Sequence, residues 1–144
     1  MNKFYYFAYG SNMNTTQMKK RCPNVEKLGK AVLYGYRFII NSRDVATIIE
    51  SKNTFVEGGL YKVSDDCLSS LDRCEGVKTN CYYRRKIELI CQNEKIKAVT
   101  YIATDQKESM QPRNGYIKKI IQGTKEFDIS EDYIKNNFEK YNDR

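Results

Sequence analysis

The chain has 144 residues, of which 40% are apolar and 30% charged, and this profile excludes a disordered or fibrous protein and predicts a single domain over residues 1–144. Its formal net charge of +7 would suit an anionic partner, yet the basic residues are scattered among acids without a nucleic-acid-binding motif, so we expect solvated faces and no nucleic-acid partner. It contains no histidine, which removes Ser-His and Cys-His nucleophile pairs and leaves acid–base chemistry to carboxylate, tyrosine or lysine.

The first half of the chain is rich in strand patterns. Residues 3–9 are aromatic and β-prone and run into Gly10-Ser11-Asn12, which predicts a strand followed by a tight turn. Thr15 is placed to cap a short helix that runs to Cys22. Gly58-Gly59 predicts a bulge or a close backbone approach. Further strands are predicted at residues 31–41, 45–50 and 55–63.

The second half combines helices with a hairpin. Ser64 is a suitable N-cap for a helix that Gly76 would end, and a turn at Asn93-Glu94 would join two strands. The predicted elements are a helix over 65–75, strands over 82–91 and 96–103, and helices after Gly115 and after Ser130. Strands interleaved irregularly with short helices favour an α+β fold, a small mixed β-barrel with peripheral helices.

Two further features concern location and redox state. No stretch is apolar for long enough to span a membrane, and the N-terminal residues lack the pattern of a signal peptide, so we expect a soluble, cytoplasmic protein without a membrane partner. Five cysteines make an odd set without a CxxC spacing, which disfavours a disulfide framework or a zinc site. We therefore expect reduced thiols and no metal. The cysteines are Cys22, Cys67, Cys74, Cys81 and Cys91.

Glu75 occupies an unusual position for a carboxylate. It follows Leu68 and Leu71 at helical spacing, so it projects from the apolar face of the predicted helix. It also lies in the last turn, where the helix dipole disfavours a negative charge, and partial burial acts in the same direction. A raised pKa suits a general acid–base catalyst at neutral pH. The alternative is a frayed helix end at which Glu75 turns outward.

The turn Tyr9-Gly10-Ser11-Asn12 is a second candidate site. Successive backbone N–H groups at the end of a strand can hold a carboxylate or a developing oxyanion, and Gly10 would permit a close approach. The alternative is an ordinary tight turn, because glycine, serine and asparagine all form turns for local reasons.

Three strings occur in order along the chain: YFAYGSN at 6–12, LDRCEGVK at 71–78 with Tyr82 shortly after, and GYIKKII at 115–121. Together they resemble the γ-glutamylcyclotransferase family, in the AIG2-like, γ-glutamylamine cyclotransferase-like superfamily. The resemblance implies a mixed barrel in which the YGSN turn and Glu75 face one cavity. It also implies that Tyr82 and Tyr116 line that cavity, although tyrosines in a strand or helix commonly serve plain packing.

The reaction of this family suits a site without histidine, metal or cofactor, because the nucleophile is the substrate's own α-amino nitrogen. Attack on the γ-carbonyl closes 5-oxoproline, and well-oriented intramolecular reactions reach effective molarities of ~10⁵–10⁸ M. The resemblance implies an enzyme of the cyclising acyltransferase or lyase class, linked to glutathione metabolism. In it Glu75 moves the protons while the turn binds the α-carboxylate or the oxyanion.

Several alternatives stay open at this point. The small-molecule γ-glutamyl substrate could release an amino acid, a simple amine, the ε-amine of an isopeptide lysine or a larger carrier. A non-catalytic ligand-binding module of the same fold is the alternative from another class. Family members often carry a glycine before the Ala-Thr-Ile strand, whereas this chain has Arg43-Asp44-Val45 there, which predicts a bulkier pocket edge. The C-terminal helix could pack on its own barrel or on a second subunit in a homodimer.

Overall fold

The computed structural model describes residues 3–141, and five strands in this part of the chain close into a barrel. The strands follow the order β3-β1-β5-β4-β2, and pairing of β2 with β3 closes the ring. β1 and β5 are parallel and the other neighbours antiparallel, so the predicted mixed barrel is confirmed. The strands are β1 (Lys3–Ala8), β2 (Glu26–Asn41), β3 (Ala46–Ser64), β4 (Tyr82–Cys91) and β5 (Glu94–Ala103), with a short β6 (Glu108–Ser109) on β2.

Four α-helices pack around the barrel in the described part of the chain. They are α1 (Thr15–Arg21), α2 (Asp65–Glu75), α3 (Tyr116–Thr124) and α4 (Glu131–Asn137), with 3₁₀ turns at Ser11–Met13 and Lys125–Phe127. Tyr133 and Phe138 are buried, so the C-terminal helix packs on its own barrel. Between residues 3 and 141, no helix has the length and apolar character needed to cross a membrane.

The helix α2 has the predicted bounds. The Ser64 hydroxyl accepts a hydrogen bond from the Cys67 N–H at 3.2 Å, and Gly76 ends the helix in the left-handed region at φ 67°. Both the helix start and the helix end are therefore set by local chemistry.

Three local predictions differ from the structure. Asn14, rather than Thr15, caps α1, because the Thr15 N–H and hydroxyl both donate to the Glu126 carboxylate. The hairpin turn lies at Gln92-Asn93. Both residues adopt positive φ, which is the conformation of the commonest two-residue hairpin loop. The two strands predicted at 45–50 and 55–63 form one strand, β3, which is irregular opposite Gly35.

The two glycines of β3 mark a close approach and not a bulge. The pairing register is unbroken at both residues. A Cβ on Gly58 would lie 2.4 Å from the Ala8 carbonyl oxygen, and one on Gly59 would lie 2.5 Å from the Phe127 ring. A side chain at either position would therefore displace β1 or the segment after α3.

The prediction of reduced thiols is wrong for one pair of cysteines. Cys22 and Cys67 form a disulfide with a Cα–Cα distance of 5.1 Å. The bond joins the end of α1 to the first turn of α2, and it leaves three thiols free, at Cys74, Cys81 and Cys91. An odd number of cysteines excludes complete pairing but not a single bond between residues distant in sequence.

Candidate active site

A cavity of about 520 Å³ brings together the candidate residues from all three strings. It lies where the turn after β1, the end of α2, and the starts of β3, β4 and α3 meet. All seven of the predicted site residues line it: Tyr9, Gly10, Ser11, Asn12, Glu75, Tyr82 and Tyr116. The arrangement that the family resemblance implies, with the turn and the carboxylate facing one space, is therefore present.

Glu75 is the last residue of α2 and is half-buried at the cavity wall. Leu68 and Leu71 on the same helix face are buried in the core, so the predicted helical phase holds and the outward alternative does not. Burial raises the pKa of Glu75, and the nearby Arg21 charge opposes that rise in part. The protonated and the charged carboxyl are thus brought closer in energy than in water.

Four tyrosines surround this carboxylate closely enough to sense its charge. Burial raises the pKa of Tyr6, Tyr9 and Tyr82 and raises the pKa of Tyr116 to about 12, and the Glu75 charge adds to each effect. All four hydroxyls therefore stay protonated at neutral pH and act as neutral hydrogen-bonding groups.

The Asn12 side chain fixes the turn from within. It is 4% exposed; its Nδ2 donates to the Tyr6 hydroxyl at 2.9 Å, and its Oδ1 accepts from Gln17 at 3.0 Å and from Arg21 at 2.9 Å. The Tyr61 hydroxyl donates to the Asn12 carbonyl at 2.7 Å. Because the side-chain atoms of Asn12 are engaged by the protein, the turn offers a ligand its backbone and the Ser11 hydroxyl, which accepts from Gln17 at 3.1 Å and keeps its own proton to donate.

The backbone N–H groups of Gly10, Ser11 and Asn12 have no hydrogen-bond acceptor among residues 3–141. Helix α3 packs directly behind the turn, since a Cβ on Gly123 would lie 2.5 Å from the Asn14 nitrogen. Rigid, unpaired donors beside a cavity are suited to hold an anion or a developing oxyanion.

Tyr82 and Tyr116 hold opposite ends of one residue at the cavity wall. The Tyr82 hydroxyl donates to the Ala46 carbonyl at 2.6 Å, and the Tyr116 hydroxyl accepts from the Ala46 N–H at 3.0 Å. The start of β3 is therefore fixed against β4 and α3, and the hydroxyl proton of Tyr116 stays available for another partner. The Tyr9 hydroxyl, by contrast, donates to the Tyr101 carbonyl at 2.5 Å inside the protein.

Sequence reasoning missed several residues of the cavity wall, chiefly Tyr6, Arg21, Arg73 and Arg113. Tyr6 opens the YFAYGSN string and Arg73 is two residues before Glu75, so both had a usable signal, whereas Arg21 and Arg113 lie outside the three strings. Arg43 and Val45 also line the cavity, as the expectation of a bulkier edge requires. Over residues 3–141, no three cysteine, aspartate or glutamate side chains lie close enough together to hold a metal ion.

Comparison with known proteins gives one family. The family model "Gamma-glutamyl cyclotransferase, AIG2-like" matches residues 6–119. The γ-glutamylcyclotransferase of Bos taurus is 33% identical over 92% of this chain and 76% of its own length, and that of Homo sapiens is 31% identical over 90% and 74%. A solved structure of a γ-glutamyl cyclotransferase superposes with a TM-score of 0.87 at 28% identity, covering 94% of this chain and 86% of the other. The chain belongs to the γ-glutamyl cyclotransferase family.

Proposed function

We propose that this cyclotransferase converts a small γ-glutamyl compound into 5-oxoproline and a free amine, with Glu75 as the acid–base catalyst. The observation that carries the proposal is the half-buried Glu75 carboxyl, which shares one cavity with the unpaired N–H groups of the turn. Burial raises the pKa of this carboxyl, which makes it a stronger proton acceptor than a glutamate in water.

The proton balance of the reaction defines the task of Glu75. The α-ammonium group gives one proton to the carboxylate, and the freed lone pair forms the C–N bond to the γ-carbon. As the tetrahedral intermediate collapses, the γ-carbon to leaving-nitrogen bond breaks, and the carboxyl returns its proton to that nitrogen. The α-nitrogen loses its second proton to the released amine, which departs as an ammonium ion. Glu75 therefore accepts one proton and returns it, and it ends the reaction in the charge state in which it began.

The turn would supply the electrostatic part of catalysis. The N–H groups of Gly10, Ser11 and Asn12 would bind the substrate α-carboxylate or the oxyanion on the γ-carbon. Either role holds the glutamyl group folded, which is the condition for a fast intramolecular attack. Tyr82 and Tyr116 would form the opposite wall, with the Tyr116 hydroxyl as a donor toward the substrate.

A substrate panel tests this function. Purified protein is incubated with γ-glutamyl amino acids, γ-glutamyl amines, ε-(γ-glutamyl)lysine and glutathione, and 5-oxoproline is measured by mass spectrometry. We expect product with the wild type, with E88Q as a matched control at an exposed glutamate on β4, and almost none with E75Q. An E75Q variant that keeps most of the wild-type rate would overturn the assignment of Glu75.

We propose a single domain over residues 1–144, supported by one continuous core cluster. We also propose a cytoplasmic location without nucleic-acid or membrane partners, in which the Cys22–Cys67 bond would be an exception to the reduced thiols usual there. We propose a homodimer that pairs through Tyr34 and Phe55, which are exposed neighbours on β2 and β3 with ring centroids 6.1 Å apart. Sedimentation of the wild type and of Y34E would show whether this pair joins two subunits.

A further inference from the structure

The cavity wall has more arginines than the single α-carboxylate of a glutamyl group needs for binding. Besides Arg21, the described cavity wall includes Arg43, Arg73 and Arg113, whereas Glu75 is its single carboxylate. The three additional arginines come from the turn between β2 and β3, the last turn of α2 and the loop before α3. Their side chains are exposed and Glu75 is half-buried, so these cations lie on the solvent side of the catalytic carboxyl.

These three guanidinium groups lack internal counter-ions. No carboxylate of residues 3–141 forms an ion pair with any of them within 4.0 Å. Asp72, beside Arg73, is engaged by Arg84 in two hydrogen bonds of 2.8 and 2.6 Å. Asp105, near Arg43, accepts hydrogen bonds from its surrounding loops. Arg43 Nη1 also donates to the Sγ of Cys81 at 3.4 Å, and Cys81 lines the same cavity. No carboxylate neutralises the three cations, so their positive charge stays available to a ligand.

The chemistry of the reaction determines which part of a substrate meets these arginines. Lactam closure takes place within the glutamyl group, which must lie beside Glu75 and the turn. The released amine is attached on the other side of the γ-carbonyl and so extends toward solvent. Guanidinium groups match carboxylates through paired hydrogen bonds. A single carboxylate has two oxygens, so three arginines leave capacity for a second one.

We propose that Arg43, Arg73 and Arg113 form an anion-binding subsite for the leaving group, which selects released amines that carry carboxylates, with dicarboxylic ones preferred over neutral or cationic amines. The inference rests on the proposed function and names the substrate class within it. A cationic leaving group would meet like charges at the same place, so the subsite excludes as well as attracts.

The test uses substrates that differ in charge at the leaving group: γ-glutamylglutamate, γ-glutamylglycine, γ-glutamylglycinamide and the γ-glutamyl conjugate of 1,4-diaminobutane. We expect kcat/KM to fall in this order. R43Q, R73Q and R113Q should each lower kcat/KM for γ-glutamylglycine by about two- to fivefold, mainly through KM, since exposed ion pairs contribute modestly. The glycinamide should change less than twofold. Added NaCl should weaken the same preference by screening.

K97Q is the matched control, because it removes an exposed cation outside the cavity and should leave all four values unchanged. Equal kcat/KM for the glycine and glycinamide substrates, or equal losses for both in the arginine variants, would overturn the subsite. Failure of the proposed function would look different, as an absence of 5-oxoproline from every substrate. In that case the affinities of the four compounds for the wild type, measured by calorimetry, would test the subsite. Tighter binding of the carboxylate-bearing compounds would support it, and equal binding would refute it.

Discussion

Breaking the Cys22–Cys67 disulfide should cost the fold several kcal/mol. The bond joins residues separated by 45 positions. It closes a loop of about 46 residues in the unfolded chain, for which the chain-entropy relation gives about 13 cal/mol/K, or about 4 kcal/mol at 25 °C. A domain of this size is stable by ~5–15 kcal/mol, so the loss would be a large fraction of the total.

Urea unfolding of the oxidised protein, the reduced protein and the C22S/C67S double variant measures this cost, with C74S as a control at an exposed free cysteine. The reduced and double-variant proteins should unfold at lower urea and with a larger m-value, because their unfolded chains expose more surface. Thiol titration of the denatured oxidised protein should find three free thiols. Five free thiols, or equal midpoints for a verified bond and its reduced form, would refute the reasoning.

Three further predictions concern single groups. Because burial raises the pKa of Glu75, the folded state binds its proton more tightly than the unfolded chain. Wild-type stability should therefore fall relative to E75Q as pH rises from 4.5 through the raised folded-state pKa. A wild type that gains on E75Q in urea unfolding between pH 4 and 7 would contradict this. Hydrogen bonding to Thr79 and to Arg43 lowers the pKa of Cys81. Iodoacetamide should therefore alkylate Cys81 at lower pH than it alkylates a cysteine peptide, and R43Q should remove part of this difference. Identical pH profiles for Cys81 and the peptide, measured by mass mapping, would exclude the effect. G59A would place a methyl group 2.5 Å from an aromatic ring and should lower stability by about 1–3 kcal/mol; an unchanged melting temperature would show that the ring can move.

The parts of the fold predicted best are those set by neighbouring residues. In α2, the Ser64 cap, the apolar spacing of Leu68 and Leu71, and the Gly76 stop all favour the same helix, and its bounds are as predicted. That spacing predicted Glu75 on the buried face but left open an outward position at a frayed helix end, and burial in the folded structure decides between them. The proximity of Glu75 to the turn after β1 did not follow from spacing, since the family resemblance was needed to relate two strings so far apart.

The parts that sequence did not reveal depend on contacts between distant segments. Thr15 and Asn14 are both suitable caps, and the choice between them is made by Glu126 from the other end of the chain. The Cys22–Cys67 bond, and the presence of Arg21 and Arg113 at one cavity, likewise depend on the folded barrel bringing separate segments together. Residue type and local spacing do not predict these contacts.

The central claim is that the α-nitrogen of the substrate attacks its own γ-carbonyl with Glu75 as proton carrier. Turnover of a γ-glutamyl substrate labelled with ¹⁵N at the α-amine, in H₂¹⁸O, tests it directly by mass spectrometry. We predict 5-oxoproline that retains ¹⁵N and contains no ¹⁸O, formed by the wild type and not by E75Q. Glutamate carrying ¹⁸O in its γ-carboxyl would show hydrolysis by water instead, and would contradict the account.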